Sequence, residues 1–167
     1  MDTNSDFKIE RLNEDNFDYF LVLLERMAKY EKCDPPDKTA EKRLKKDVLS
    51  EKPRFHCYLG KIRSEYVSYL LYYFTYSSYL ARPILHLEDI FVSEKYRKQG
   101  IGQKMFDFCI KKAKKCNCGR MEWCVFNWNK NALEFYNKND ATRLNKTYYR
   151  LNKKQIDSFE NDYKEIK

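Results

Sequence analysis

The chain has 167 residues, of which 43% are hydrophobic and 16% aromatic, and its formal net charge is +8. This composition excludes a disordered chain and predicts one domain over residues 1–167, with residues 1–5 and the last few residues flexible. No apolar run approaches the roughly 18 residues of a membrane helix. The polar, acidic stretch 2–6 argues against a secretory signal, so we expect a cytoplasmic protein.

The positive charge has three explanations: nucleic-acid binding, a polyanionic cofactor, or solubility alone. Nucleic-acid binders concentrate basic residues on one face, whereas here Lys and Arg are interleaved with acidic residues along the chain. A basic RNA-binding module that uses Tyr and Lys on an exposed sheet stays open as an alternative, although the chain has no RNP-like motif.

Six cysteines are present, and Cys116 and Cys118 form a C-x-C pair. The two histidines, His56 and His86, lie far from this pair in the sequence, so a zinc site is not favoured. We therefore predict reduced, mostly buried thiols and no metal.

The first part of the chain predicts a strand and an amphipathic helix. Residues 7–11 alternate between apolar and polar positions, as in a strand, and Asn13 is a candidate N-cap for the helix. Apolar residues then recur at helical spacing, at Phe17, Phe20, Leu21, Leu24, Met27 and Ala28. The helix ends with Tyr30 and Glu31. An acidic residue at that end opposes the helix dipole, so Glu31 is either a solvated surface residue or a functional one.

A second helix is predicted over 39–48, with Thr39 as its cap and Pro53 as its end. Residues 55–62 and 66–76 are then rich in β-branched and aromatic side chains, which predicts an antiparallel pair of strands.

The next strand, Ile84–Val92, contains two adjacent carboxylates in an apolar setting. Simple alternation puts Asp89 on one face with Leu85, Leu87 and Phe91, and Glu88 on the opposite face. Carboxylates there are costly unless they are paired or used. They are therefore either partners of Lys or Arg, or groups that bind a cation or accept a proton.

The chain is organised around Arg97-Lys98-Gln99-Gly100-Ile101-Gly102, a turn between this strand and a helix that begins at Ile101. Glycine lets the backbone approach a ligand closely, and the first N–H groups of a helix suit a phosphate. The spacing matches neither the Walker pattern nor the dinucleotide fingerprint, so an ordinary tight turn is the other interpretation.

The last elements predicted are a strand over Met121–Phe126, with Trp123 and Val125 facing inward, and a final short helix that contains Ala132 and Tyr136. Asn139-Asp140 stands where a glycine commonly ends such a helix, and both residues tolerate a left-handed backbone.

The chain contains the motifs Ala28-Lys29-Tyr30-Glu31, Tyr72-Tyr73-Phe74-Thr75-Tyr76, Leu87-Glu88-Asp89-Ile90-Phe91-Val92, the Arg-x-x-Gly-x-Gly turn at 97–102, Trp128-Asn129 and Phe135-Tyr136. Together they resemble the GNAT superfamily of N-acetyltransferases, and within it the diamine (spermidine/spermine) and thialysine N-acetyltransferases. The resemblance extends from about Phe7 to Leu151. The resemblance implies an α/β GNAT fold, with a central mixed, largely antiparallel, twisted sheet flanked by helices.

The resemblance also implies direct transfer of an acetyl group from acetyl-CoA to a primary amine in a ternary complex, by a homodimer and without a metal. Glu88 would act as the general base and Tyr136 would assist the departing thiolate. The expected cofactor-binding residues are Ile90, Phe91, Val92, Arg97, Lys98, Gln99, Gly100, Ile101, Gly102, Gln103, Asn129, Lys130, Ala132 and Tyr136. The expected substrate-binding residues are Tyr30, Glu31, Ser77, Tyr79, Glu88, Asp89, Glu122, Trp123 and Cys124.

The substrate class depends on the residues that follow the strand over 72–76. The resembled polyamine enzymes have an aspartate and a tryptophan there, whereas this chain has Ser77 and Tyr79. The serine is shared with the thialysine-acetylating relatives. Diamines and polyamines are expected first, because Glu31, Glu88 and Asp89 remain, and thialysine or lysine-like amines second.

Overall fold

A computed structural model describes residues 6–159 of the chain. The expected flexibility of residues 1–5 and of the last residues therefore concerns segments outside the described range. The chain divides into two compact units, one that ends at Cys124 and one that begins at Val125.

The first unit is built on a five-stranded sheet whose strands follow the chain in the order β1 to β5. The strands are β1 Phe7–Arg11, β2 His56–Ile62, β3 Glu65–Ser77, β4 Arg82–Val92 and β5 Arg120–Glu122. The first four are antiparallel, and β5 runs parallel to β4, so the predicted mixed, largely antiparallel sheet is confirmed.

Three helices accompany the sheet in the first unit: α1 Phe17–Glu31, α2 Lys38–Leu49 and α3 Ile101–Lys115. The predicted caps of the first two are wrong. Asn13 lies before the helix and accepts hydrogen bonds from the N–H groups of Asp15 and Asn16, which makes a turn. Asp37 rather than Thr39 caps α2, because its carboxylate accepts from the N–H of Ala40 at 2.7 Å.

The helices cover both faces of the sheet. A buried cluster joins α1 and α2 to one face through Leu12, Phe17, Phe20, Leu23, Val48, Cys57, Leu59, Tyr69, Leu71 and Phe91. Strand side chains alternate, so Tyr58, between Cys57 and Leu59, points to the other face. Its ring lies 4.7 Å from that of Phe108 on α3. The long antiparallel strands and the apolar stripes of α1 and α3 therefore produce a sheet between two helical layers.

A bulge in β4 overturns the simple alternation expected for this strand. Leu71 pairs with Asp89 and the next residue, Tyr72, pairs with Leu87, so Glu88 is an extra residue with no partner on β3. Asp89 consequently lies on the face of Leu71, toward α1, whereas Leu87 shares the opposite face with Tyr72. The prediction that Leu87 and Asp89 share a face is wrong, because the extra residue reverses the alternation.

The strand predicted over Met121–Phe126 is shorter than expected. β5 ends at Glu122, and its last pairing is with His86, two residues before the bulge. A bulge bends its strand and interrupts the ladder, which accounts for the end of parallel pairing at this point.

Up to residue 159, where the description ends, the second unit contains two short helices, α4 Lys130–Lys138 and α5 Lys153–Asp157. The helix that contains Tyr136 is thus confirmed, but it is not the final one. Asp140 has a φ of 55°, so the expected left-handed turn at 139–140 is confirmed. Exposed apolar side chains follow at Leu144, Tyr148, Tyr149, Leu151, Ile156 and Phe159.

The cysteines differ from the expected mostly buried set, since only Cys57 and Cys109 are buried and Cys33, Cys116 and Cys124 are exposed. Within residues 6–159 no group of three or more His, Cys, Asp or Glu side chains could hold a metal ion. In the same range, no helix is both long enough and apolar enough to cross a membrane.

Candidate active site

The turn between β4 and α3 has the geometry of an anion-binding loop. Gly100 has a φ of 77°, and a Cβ placed on it would meet no heavy atom within 4 Å. The turn leads directly into α3, a 15-residue helix whose first N–H groups lack partners within the helix. Open space at a left-handed glycine and the positive end of a helix dipole are what a pyrophosphate requires, so these residues fit the coenzyme.

Lys98, two residues before Gly100, also has a left-handed backbone, with a φ of 59°. A non-glycine residue in that region is uncommon, and the strain is tolerated where the surrounding structure enforces it. The sequence carried no signal of this conformation.

Arg97 ties the loop to β4 and α1. Its Nε donates a hydrogen bond to the carbonyl oxygen of Val92 at 2.9 Å. Its guanidinium lies 4.6 Å from the ring centroid of Tyr30 and 5.8 Å from that of Phe91. These contacts bring the loop, the end of α1 and the end of β4 together.

Glu88 and Asp89 occupy different environments at the bulge. The Glu88 side chain is 51% exposed, and one of its oxygens lies 3.6 Å from Nε2 of His86. Asp89 is partly buried, and Oδ2 accepts a hydrogen bond from the hydroxyl of Tyr69 at 3.3 Å. Glu88 is therefore open to solvent, whereas Asp89 is held inside.

Burial raises the pKa of Asp89 from an ordinary 3.8 to about 7, and the charges of Glu88 and Glu31 add to this rise, while the hydrogen bond from Tyr69 opposes it. Burial also raises the pKa of Glu31, at the end of α1. Because the charges of Glu31 and Glu88 both act on Asp89, we call these three carboxylates the acidic cluster. With a pKa near 7, Asp89 is only partly ionised at neutral pH.

The other expected substrate-binding residues of the first unit are engaged differently. The Ser77 hydroxyl is buried and accepts a hydrogen bond from the N–H of Leu80 at 3.2 Å, whereas Tyr79 is 98% exposed. Glu122 is paired with Arg120 at 2.8 Å. Trp123 packs against the Phe106 ring of α3, with 5.6 Å between centroids, and Cys124 is exposed.

Within the second unit, the expected site residues lie at the start and middle of α4. Asn129 caps this helix, since its side chain accepts from the N–H of Ala132 at 3.2 Å, and Lys130 is the first helical residue. Tyr136 is buried, and its ring lies edge-on to that of Phe135 at 5.2 Å.

Sequence reasoning missed Tyr69, which is buried in the core and contacts the acidic cluster. The register of β3 against β4 and the bulge bring Tyr69 next to Asp89, and neither feature leaves a local sequence signal.

The arrangement combines a loop suited to a phosphate-bearing ligand with carboxylates suited to a cation. Comparison with known proteins agrees with this chemistry. Residues 12–140 match the model of the acetyltransferase (GNAT) family. The chain is 35% identical over 136 residues to thialysine N-epsilon-acetyltransferase of Bos taurus, which covers 77% of this chain and 79% of the relative.

Two further comparisons are more distant. The chain is 27% identical over 124 residues to the human spermidine/spermine N(1)-acetyltransferase-like protein 1, covering 68% of this chain and 18% of that protein. In fold it is similar to the crystal structure of a possible acetyltransferase from Clostridium difficile 630, with a TM-score of 0.76, 20% identity and coverage of 87% and 97% of the two chains. The extent of the family match and the identity to the bovine relative establish that this chain belongs to the acetyltransferase (GNAT) family and transfers an acetyl group to an amine.

Proposed function

We propose that this enzyme takes the acetyl group from acetyl-CoA and transfers it directly, in a ternary complex, to a primary amine of a small cationic substrate. The observation that carries the proposal is the acidic cluster next to the glycine loop. Arg97 contacts Tyr30, and Glu31 follows Tyr30 at the end of α1, so the loop and the carboxylates are neighbours.

The coenzyme would lie with its pyrophosphate on the loop over 97–103. Backbone N–H groups at the start of α3 would donate to the phosphate oxygens, and Lys98 and Arg97 would add positive charge. Acetyl-CoA supplies an acetyl group activated as a thioester.

The acidic cluster would bind the amine and take its proton. An alkylamine with a pKa of about 10 arrives as an ammonium ion, which cannot attack a thioester. Asp89 would hold this cation, and the solvent-open Glu88 would accept the proton through a water molecule. Pairing of β4 with β5 ends at His86, so whichever N–H of Ile90 or Phe91 points away from β3 is a candidate donor to the oxygen that gains negative charge.

The residues of the second unit enter the proposal through the family resemblance. Tyr136 would give a proton or a hydrogen bond to the departing thiolate. Asn129, Lys130 and Ala132 would contact the coenzyme.

For the substrate we place thialysine and lysine-like amines first, because the chain is 35% identical to the bovine thialysine enzyme over 77% of its length. Ser77 and Tyr79 are neutral, so neither adds a negative charge for a distant second ammonium; the Ser77 hydroxyl already accepts a hydrogen bond from Leu80, and Tyr79 extends into solvent. Diamines and polyamines form the second candidate, favoured by the three carboxylates of the acidic cluster.

An acetylation assay tests the proposal. Acetyl-CoA is incubated with thialysine, lysine, ornithine, putrescine, spermidine and spermine, and product is measured by mass spectrometry. We expect the highest kcat/KM for the lysine-like amines. A preference for spermidine would move the second candidate to first place, and no transfer to any small amine would refute the proposal. Filter binding to RNA at several salt concentrations tests the alternative that the protein is a basic RNA-binding module.

We also propose a cytoplasmic homodimer. Exposed aromatic side chains such as Tyr76 and, in the second unit, Tyr148 and Tyr149 support an interface between copies, because exposed apolar patches commonly mark association sites. Sedimentation at micromolar concentration tests it, and a monomer alone would contradict it.

A further inference from the structure

Tyr69 is a buried residue whose hydroxyl contacts Asp89 of the acidic cluster. Its side chain is fully buried on β3, and its ring packs edge-on against Phe20 at 5.2 Å and lies 6.0 Å from Phe91. The hydroxyl lies 3.3 Å from Oδ2 of Asp89 and 2.7 Å from the sulfur of Met27. Because core packing holds the ring, the hydroxyl has a fixed position next to the Asp89 carboxylate.

The hydroxyl carries one proton and has two acceptors within reach, so the two contacts compete. An ionised carboxylate accepts a hydrogen bond much more strongly than a thioether does, so Tyr69 donates to Asp89 when Asp89 is charged. When Asp89 is protonated, its own O–H can donate to Tyr69, and Tyr69 can then donate to Met27. The Tyr69 hydroxyl can therefore hydrogen-bond Asp89 in both of its protonation states.

This hydrogen bond opposes the burial and the negative charges that act on Asp89. Burial, Glu88 on the same strand and Glu31 from α1 all disfavour the charged form, and Cys57 of β2 is also coupled to it. The Tyr69 hydroxyl instead favours the carboxylate. We propose that Tyr69 is a positioning residue, whose hydroxyl favours the ionised form of Asp89 and orients its carboxylate to bind the substrate ammonium. This inference rests on the amine-binding role proposed for Asp89.

Tyr69→Phe tests the inference because it removes the hydroxyl and keeps the ring that packs in the core. A hydrogen bond to a charged group changes the pKa of an acid by about one unit. The acidic limb of kcat/KM for the amine should therefore move upward by about one pH unit. The variant should be several-fold less active at pH 7 and equal to the parent near pH 9, with an unchanged KM for acetyl-CoA.

The matched control is Tyr66→Phe, on the same strand. Tyr66 donates to Oε2 of Glu10 at 2.7 Å, so this variant also removes a tyrosine–carboxylate hydrogen bond, but away from the acidic cluster. We expect its pH profile to coincide with that of the parent.

Met27→Leu should shift the pH profile in the opposite direction. Without the sulfur, Tyr69 loses the acceptor that it uses when Asp89 is neutral, so the neutral state is disfavoured. The acidic limb should move to lower pH. A shift in the same direction as in Tyr69→Phe would overturn the inference, as would a loss of activity in Tyr69→Phe that is equal at every pH.

A titration without substrate separates this inference from the proposed function. Carbonyl ¹³C NMR follows the aspartate carboxyls, with Asp89 assigned by Asp89→Asn. If no amine is acetylated and the Asp89 titration still moves upward in Tyr69→Phe, the link between Tyr69 and Asp89 stands and the proposed substrate is wrong. If its titration is the same in the parent and in Tyr69→Phe, the inference is refuted whatever the activity.

Discussion

Asp89→Asn should change the pH dependence of stability in a direction fixed by the surroundings of this carboxyl. Asp89 has a pKa of about 7 in the folded chain against an ordinary 3.8. The folded state thus binds this proton more tightly than the unfolded state does, and the parent loses stability as the pH rises from about 4 to about 7. Asparagine keeps the shape and a hydrogen-bond acceptor for Tyr69 but does not titrate.

The size of the effect follows from the same interval. About three pH units at about 1.4 kcal/mol each correspond to about 4 kcal/mol. The free energy of unfolding of Asp89→Asn minus that of the parent should therefore grow by about 4 kcal/mol between pH 4 and pH 8, and then level off.

Urea unfolding at half-unit pH intervals measures this difference, and groups that titrate in both proteins cancel. Asp15→Asn is the control, because it removes an exposed aspartate and should give a difference without this rise. A difference for Asp89→Asn that stays constant across the range would refute the reasoning, since it would mean that Asp89 is charged to the same extent in both states.

Four further substitutions address the loop, the proton path and the core. Gly102→Val, in the first turn of α3, should raise the KM for acetyl-CoA with the fold intact, and an unchanged KM would contradict the loop assignment. Glu88→Gln should lower kcat at pH 7 by about 10²–10⁴, with partial recovery at high pH where free amine is abundant. Tyr136→Phe should lower kcat without recovery at high pH, and full activity would reduce Tyr136 to a packing role. Ser68→Ala should stabilise the protein by about 1 kcal/mol in urea unfolding, because within the described residues the buried Ser68 hydroxyl has no hydrogen-bond partner; a marked loss would show that it has one.

The acidic cluster shows how much of the site local sequence could predict. Tyr30 and Glu31 lie at the end of α1, as helical periodicity predicts, and the loop lies between β4 and α3, as its glycines and flanking segments indicate. Both features depend on residues close together in the chain. Local propensity and spacing are enough for such features.

The environments of Glu88 and Asp89 were decided by tertiary structure. The prediction of simple alternation was wrong at the bulge, because Glu88 has no partner on β3. No local sequence pattern indicates this extra residue. The cap predictions for α1 and α2 were wrong for a related reason. Several polar residues near the start of each helix could cap it, and in α2 the backbone geometry favours Asp37 over Thr39.

Taken by itself, the sequence determined the order of the elements, the family and the residue types available for chemistry, because these follow from periodicity and motifs along the chain. Only the tertiary structure decided that the Tyr69 hydroxyl lies within hydrogen-bond reach of both Asp89 and Met27 while Glu88 faces solvent. The physical reason is that burial and hydrogen bonding come from strands and helices far apart in sequence. The pKa of Asp89 therefore depends on the register of β3 against β4 and on the position of α1, and residue identity alone does not set it.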